Sequence, residues 1–187
     1  MRAFISFNIE EEKKKEISII QNNVRKYIGQ KIANDIKWEE CDKFHQTLFF
    51  LGDINEKQLS AISNNLEELK SKINFKELVF SASGINAFPN LKYPRVLFIE
   101  LLNENQKVFV LFDLICGVLK NHKFKPDKKF HPHITLGRVK RDKKINLSEL
   151  KDKINFELKI SADAFYLMES KLGSRGSTYN EIKKFEL

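Results

Sequence analysis

The sequence predicts an α+β fold in a single bilobal, duplicated domain, with two antiparallel sheets and helices on the outside. Three observations lead to this prediction. Segments with strand and helix patterns follow the order strand, helix, strand, strand, helix, strand, and the same order then repeats. The pattern His-x-Thr-Leu occurs at residues 45–48 and again at 133–136, once in each half of the 187-residue chain. No linker or low-complexity segment divides residues 1–187 into independent parts.

The first half opens with a strand followed by a helix. Residues 2–8 alternate loosely and are rich in Phe and Ile, which favours a strand. Residues 10–28 follow as a helix, because apolar side chains such as Ile17 and Val24 recur at helical spacing. Gly29 is of the residue type that most often ends a helix.

The rest of the first half carries the first His-x-Thr-Leu pattern and the clearest helix. The predicted elements are a strand over 36–38, a turn over 41–43, a strand over 44–51 that stops at Gly52-Asp53, a helix over 56–72, a strand over 75–82 and a long loop over 84–94. Leu59, Ile62 and Leu66 step by three and four along the helix, and Asn55 with Gln58 forms a capping pattern before it.

The second half repeats the alternation and carries the second pattern on a strand. The predicted elements are a strand over 95–101, a helix over 104–120, a basic loop over 123–129, a strand over 132–139, a short helix over 147–153, and strands over 155–168 and 178–186 flanking a Gly/Ser-rich turn over 173–177.

Composition limits the class of protein and suggests its partners. The formal net charge is +8 and the pI is near 9.3, which favours an anionic partner such as nucleic acid, although a lysine-rich solvated surface would give the same values. No apolar run approaches the roughly 18 residues of a membrane span, and the N-terminal residues lack the features of a signal peptide. Cys41 and Cys116 are too few for a disulfide scaffold. We therefore expect a cytoplasmic protein with reduced thiols and no membrane partner.

The two His-x-Thr-Leu patterns predict a phosphate site. Residues i and i+2 of a strand share a face, so His45 lies beside Thr47 and His133 beside Thr135. Histidine titrates near pH 6.5, so two imidazoles facing one phosphodiester can serve as general base and general acid without a metal. Threonine hydroxyls can donate hydrogen bonds to the non-bridging oxygens of the same phosphate.

Three further side chains near the patterns have open roles. Arg138 suits a phosphate, but strict alternation places it on the face opposite His133 unless the strand ends or bulges near Gly137. His131 shares the face of His133 and either supports it by packing or lines the site. Phe49 shares the face of the first pair and either fills the core or stacks on a base at the rim. Near the final turn, the residues that could touch a nucleotide are Arg175 and Tyr179.

The whole chain resembles the two-histidine phosphoesterases, in particular the RNA 2′,3′-cyclic phosphodiesterases historically called 2′-5′ RNA ligases. The segments that carry the resemblance are 1–7, 45–52, 87–89, 94–97, 130–138, 170–172, Tyr179 and 185–187. The motifs are His45, Gln46, Thr47 and Leu48, and His133, Ile134, Thr135 and Leu136. Phe49 departs from the polar or small residue that relatives often have after the first motif.

The resemblance implies a bilobal fold whose sheets line a central cleft with one motif on each side. It also implies that His45 is the proton donor, that His133 is the proton acceptor that activates water, and that the product is an RNA 2′-phosphate. Thr47, Thr135 and Arg138 would bind the phosphate. No metal or other cofactor is expected. The expected partner is RNA with a 2′,3′-cyclic phosphate end, of which tRNA-derived ends are one source, and we expect a monomer.

Three other functions stay open at this point. The same residues could run the reaction backwards, as a ligase that joins tRNA halves through a 2′-5′ linkage. His131 and His133 form a His-x-His pair that, with His45, could hold a metal ion. The basic loops alone could make a non-catalytic RNA-binding module, which would show salt-sensitive binding and no turnover.

Overall fold

A computed structural model describes residues 1–82, 84–126, 128–173 and 176–187. The helices of this part of the chain are α1 (Glu11–Ala33), α2 (Glu56–Glu67) and α3 (Lys107–Asn121). Its strands are β1 (Arg2–Asn8), β2 (Ile36–Trp38), β3 (His45–Asp53), β4 (Leu78–Ala82), β5 (Ile85–Phe88), β6 (Val96–Glu100), β7 (His133–Val139), β8 (Leu158–Ala162), β9 (Ala164–Gly173) and β10 (Gly176–Glu186). None of its helices is long and apolar enough to cross a membrane.

The strands form two four-stranded sheets and one two-stranded sheet, in which all pairings are antiparallel. The first sheet has the order β10-β9-β1-β3, and the second has the order β2-β7-β6-β5. Strands β4 and β8 pair with each other. The predicted α+β class with antiparallel sheets is therefore confirmed. The first motif lies on β3 and the second on β7.

The two sheets do not coincide with the two halves of the sequence. The first sheet takes β1 and β3 from the start of the chain and β9 and β10 from its end, whereas β2 belongs to the second sheet. A repeat is nevertheless present around the motifs. Strand β1 leads through α1 to its antiparallel neighbour β3, and β6 leads through α3 to its antiparallel neighbour β7.

The helices follow the sequence patterns closely. In α1, Gly29 has a φ of +77° and interrupts the helix as predicted, but helical backbone resumes after it as far as Ala33. The capping pattern before α2 is confirmed, because the Asn55 side chain accepts a hydrogen bond from the Gln58 backbone N–H and the Gln58 side chain accepts one from the Asn55 N–H. Helix α2 ends at Glu67, and a 3₁₀ turn continues it over Glu68–Ser71.

Two predictions of local structure were wrong. The predicted loop over 84–94 contains β5, which pairs with β6. Ile85 and Ala87 are buried in the core, and the Asn86 side chain accepts a hydrogen bond from the Ala87 backbone N–H. The predicted strand over 155–168 is two strands, β8 and β9, which separate at Asp163 and enter different sheets. No glycine or proline marks that break, so the sequence pattern alone gave no sign of it.

The core fixes both motif strands from behind. On β7, Ile134 and Leu136 are completely buried, and on β3, Leu48 is 4% exposed. Burying each such side chain stabilises the fold by about 1.5–3 kcal/mol. The alternate residues of the strands face the space between the sheets.

Candidate active site

A cavity of about 790 Å³ lies between the two sheets, and side chains from both motif strands line it. This volume is typical of a small-molecule site. We call it the cleft. The polar side chains that line it include Glu39, Lys43, His45, Thr47, His133, Thr135, Arg138 and Tyr179. Both His-Thr pairs thus lie in one cleft, with a strand of each sheet supplying one pair.

Both motif histidines are held by the same backbone contact. The Nδ1 atom of His45 lies 2.7 Å from the Lys43 carbonyl oxygen, and Nδ1 of His133 lies 2.6 Å from the His131 carbonyl oxygen. Because a carbonyl oxygen can only accept a hydrogen bond, each Nδ1 must carry a hydrogen. In the neutral imidazole, Nε2 is then the atom that can take up a proton.

The first histidine is also joined to its own threonine. Thr47 Oγ1 lies 3.0 Å from His45 Nε2. The hydroxyl donates to Nε2 when the ring is neutral and accepts from it when the ring is protonated. Proton position on His45 and hydroxyl direction on Thr47 are therefore linked.

Burial lowers the pKa of both imidazoles, because it disfavours the charged form. The carbonyl contacts at Nδ1 act in the opposite direction. The charge of Arg138 lowers the pKa of both rings further, together with His133 acting on His45 and His131 acting on His133. Both histidines are consequently poised to be neutral near pH 7, and an anion in the cleft would favour protonation.

A β-bulge interrupts each motif strand at the leucine of the motif. On β3, Thr47 pairs with Ser6 and Phe49 with Ile5, so Leu48 is the extra residue. On β7, Leu136 is the extra residue in the same way, opposite β6. A bulge shifts the alternation by one position, so the strand presents the other set of side chains to the cleft beyond it.

The bulges decide which residues reach the cleft. Arg138 returns to the face of His133 and Thr135 and lines the cleft, which strict alternation had placed out of reach. Phe49 is 4% exposed and packs against Phe112, as the core role predicted for it requires, and it also borders the cavity beside the cleft. Phe50, which sequence reasoning missed, is 60% exposed at the cleft.

A side chain from α1 holds the bulge of β7 in place. The Leu136 carbonyl oxygen accepts hydrogen bonds from the Glu39 backbone N–H and from Gln21 Nε2, both at 2.9 Å. Gln21 Nε2 donates its other hydrogen to the Glu39 carbonyl oxygen, also at 2.9 Å. Gln21 is only 5% exposed. A polar residue beside the apolar face of α1 was the one sequence signal of this role.

Among the other cleft residues, Tyr179 contacts His45, and Glu39 acts on Tyr179. The Tyr179 ring lies 5.1 Å from the His45 ring in an edge-to-face contact, and burial together with the nearby Glu39 carboxylate raises the pKa of the Tyr179 hydroxyl. Burial raises the pKa of Glu39, against the opposing charge of Arg138. Arg175, considered with Tyr179 from the sequence, lies outside the described residues.

His131 lies beside the second motif and does not line the cleft itself. Its carbonyl oxygen accepts from His133, and its Nε2 lies 3.1 Å from Glu100 Oε1. Its ring contacts Phe88 and Phe98. Within residues 1–82, 84–126, 128–173 and 176–187, no three His, Cys, Asp or Glu side chains converge as a set of metal ligands.

The profile of the family described as LigT like Phosphoesterase matches residues 9–98 and 102–179. The chain belongs to this family. Among the curated relatives of this LigT-like phosphoesterase, the RNA 2′,3′-cyclic phosphodiesterase of Thermotoga maritima is 31% identical over 97% of this chain and 93% of the relative. The enzyme of the same name from Archaeoglobus fulgidus is 30% identical over 100% of both chains.

Solved structures share the fold over its full length. A protein from Thermus thermophilus superposes with a TM-score of 0.81 at 25% identity, covering 100% of this chain and 98% of the other. E. coli LigT, crystallised with 3′-AMP, superposes with a TM-score of 0.75 at 19% identity, covering 100% and 97%. The family resemblance drawn from the motifs is therefore confirmed along the whole chain.

Proposed function

We propose that the protein hydrolyses RNA 2′,3′-cyclic phosphate ends to 2′-phosphomonoesters, using its two histidines and no metal or other cofactor. The observation that carries this proposal is the matched pair of imidazoles in one cleft, each with Nδ1 fixed by a carbonyl and Nε2 left for proton transfer. The names of the relatives from Thermotoga maritima and Archaeoglobus fulgidus support the substrate.

The two histidines divide the proton transfers. His133, neutral, takes a proton from water as the water oxygen bonds to phosphorus, and His45, protonated, gives a proton to the leaving 3′ oxygen as its bond to phosphorus breaks. A free 3′-hydroxyl and a 2′-phosphate result. After the reaction His133 is protonated and His45 is neutral, and proton exchange with solvent restores the starting protonation states.

The remaining cleft residues hold the phosphate in this proposal. Thr47 and Thr135 donate hydrogen bonds to the non-bridging oxygens, and the Arg138 guanidinium balances their charge. With His45 protonated, the Thr47 hydroxyl accepts from His45 Nε2 at 3.0 Å, which leaves its own hydrogen available for a non-bridging phosphate oxygen. Because both motifs are on one chain, a monomer would suffice, and the free thiols of Cys41 and Cys116 are in keeping with a cytoplasmic location.

The test is hydrolysis of an RNA oligonucleotide that ends in a 2′,3′-cyclic phosphate, with phosphorus NMR to identify the product. His45→Ala and His133→Ala should each lower the rate about 10²–10⁴-fold, and excess EDTA should leave it unchanged. Near wild-type rates in either variant would refute the mechanism. Loss of activity in EDTA would instead point to a metal ion. Incubation with tRNA halves tests for ligation by the reverse reaction.

A further inference from the structure

A second cavity of about 660 Å³ adjoins the cleft, and both are lined by His133, Thr47 and Phe50. We call it the aromatic groove. Its aromatic and basic side chains include Phe88, Arg95, Phe112, Lys128, Lys129 and Phe130. The two cavities are thus continuous at the place where the proposed reaction occurs.

Aromatic rings form its walls. Phe112 and Phe130 stack on each other with centroids 4.3 Å apart and planes 6° from parallel. Phe88 stands edge-on to the His133 ring at a centroid distance of 5.1 Å and borders both cavities. Phe50, 60% exposed, also borders both. Phe88, Phe112 and Phe130 are half-buried, so Phe50 offers the most accessible ring, and aromatic rings of this kind are the usual platforms on which single-stranded bases stack.

The groove also carries its own positive charge. The Arg95 guanidinium donates hydrogen bonds to the Lys143 carbonyl at 3.2 Å and the Arg141 carbonyl at 3.5 Å, which holds it in one direction. Lys128 and Lys129 are exposed on the opposite loop. None of the described residues that line the groove is a carboxylate, whereas the cleft contains Glu39.

We infer that the aromatic groove binds the nucleotide that precedes the cyclic end, stacking its base and pairing the internucleotide phosphate with Arg95, Lys128 and Lys129. This inference rests on the proposed function. A free 2′,3′-cyclic mononucleotide has a single phosphate, which the cleft with Arg138 would occupy. Lys128 lines the cleft as well, but Arg95 and Lys129 line only the groove, and they meet a second phosphate only when a 5′-linked nucleotide is present. The preferred substrate is therefore an oligonucleotide end.

The test compares kcat/KM for a cyclic-ended dinucleotide and for the matching cyclic mononucleotide. We expect the wild type to prefer the dinucleotide by roughly 5- to 100-fold, the range that one stacked base provides. Arg95→Gln combined with Phe130→Ala should remove most of this preference and weaken its dependence on salt. Lys159→Gln, which removes one exposed positive charge on β8, is the matched control and should keep the preference.

Each result decides the question. Equal kcat/KM for both substrates in the wild type, or an unchanged preference in the Arg95→Gln, Phe130→Ala variant, overturns the groove assignment while leaving the proposed hydrolysis intact. Hydrolysis of neither substrate overturns both. If Phe130→Ala does not fold, Arg95→Gln with Lys129→Gln makes the same test through the phosphate alone, because both side chains are exposed.

Discussion

Replacing Gly137 with alanine tests whether the bulge of β7 depends on close packing by β2. A Cβ atom at this position would lie 2.7 Å from Ile36 Cγ2, 3.1 Å from the Lys37 carbonyl oxygen and 3.3 Å from Trp38 Cε3. The first distance is far below van der Waals contact, and the second involves backbone that the β2–β7 pairing holds in place. One strand must therefore move. The backbone of Gly137 does not lie in the left-handed region, so the effect is steric.

The expected loss follows from two opposing effects. Overpacking costs about 1–3 kcal/mol, and the reduced entropy of the unfolded chain returns roughly 0.4–1 kcal/mol. We expect Gly137→Ala to lower the free energy of unfolding by about 1–2 kcal/mol, which is about 2–8 °C in Tm for a domain of this size. Arg138, the next residue, should move with the strand, so kcat/KM for cyclic-ended RNA should also fall.

Urea unfolding followed by circular dichroism measures the stability change. Fluorescence of Trp38, the single tryptophan of the chain, reports movement at the contact itself. Gly117→Ala is the control, because its added methyl group on α3 meets nothing within 4 Å and should stabilise the helix by about 0.5–1 kcal/mol. A Gly137→Ala protein with wild-type stability and activity would refute the packing argument.

Three more predictions concern the cleft. Because burial lowers the pKa of both His45 and His133, the bell-shaped profile of kcat/KM should have its maximum below pH 6.5, and a maximum above pH 7 would contradict this. For the same reason the unfolded chain binds more protons than the folded chain below pH 6.5. The free energy of unfolding should therefore fall as the pH falls from about 6.5 towards the lowered pKa values. Urea titrations at several pH values measure this dependence, and the double variant His45→Gln, His133→Gln should flatten it. Gln21→Leu leaves one acceptor contact of the Leu136 bulge unmade and should cost about 1–3 kcal/mol. Its kcat should fall as well, and rescue of kcat by Gln21→Asn would show that only an amide is needed.

The chemistry of the motifs was readable from the sequence because it is local. A histidine and a threonine two residues apart share a face wherever the strand is regular, as His133 and Thr135 do. The fixing of each Nδ1 by the carbonyl two residues earlier was not readable, since it depends on the backbone just before the strand. The sequence therefore predicted which side chains line the cleft but not which nitrogen of each histidine is held by the backbone.

The side chains beyond the motifs could not be placed from the sequence alone, for one physical reason. Alternation is a property of an unbroken ladder, and a bulge depends on how two strands pair, which no single strand records. Arg138 and Phe50 reach the cleft only because Leu136 and Leu48 are extra residues in their ladders. The role of Gln21 could not be predicted either, because its hydrogen-bond partners lie on β7 and just after β2, far away in sequence.

The interleaving of the two sheets has a consequence for motion. The chain passes from one sheet to the other between β1 and β2, between β2 and β3, between β3 and β5, and between β7 and β9. A hinge between the two sheets would need a few residues that absorb the backbone change, whereas the chain crosses between these sheets at several points. We therefore expect the gap between His45 and His133 to change little in width when the proposed substrate binds.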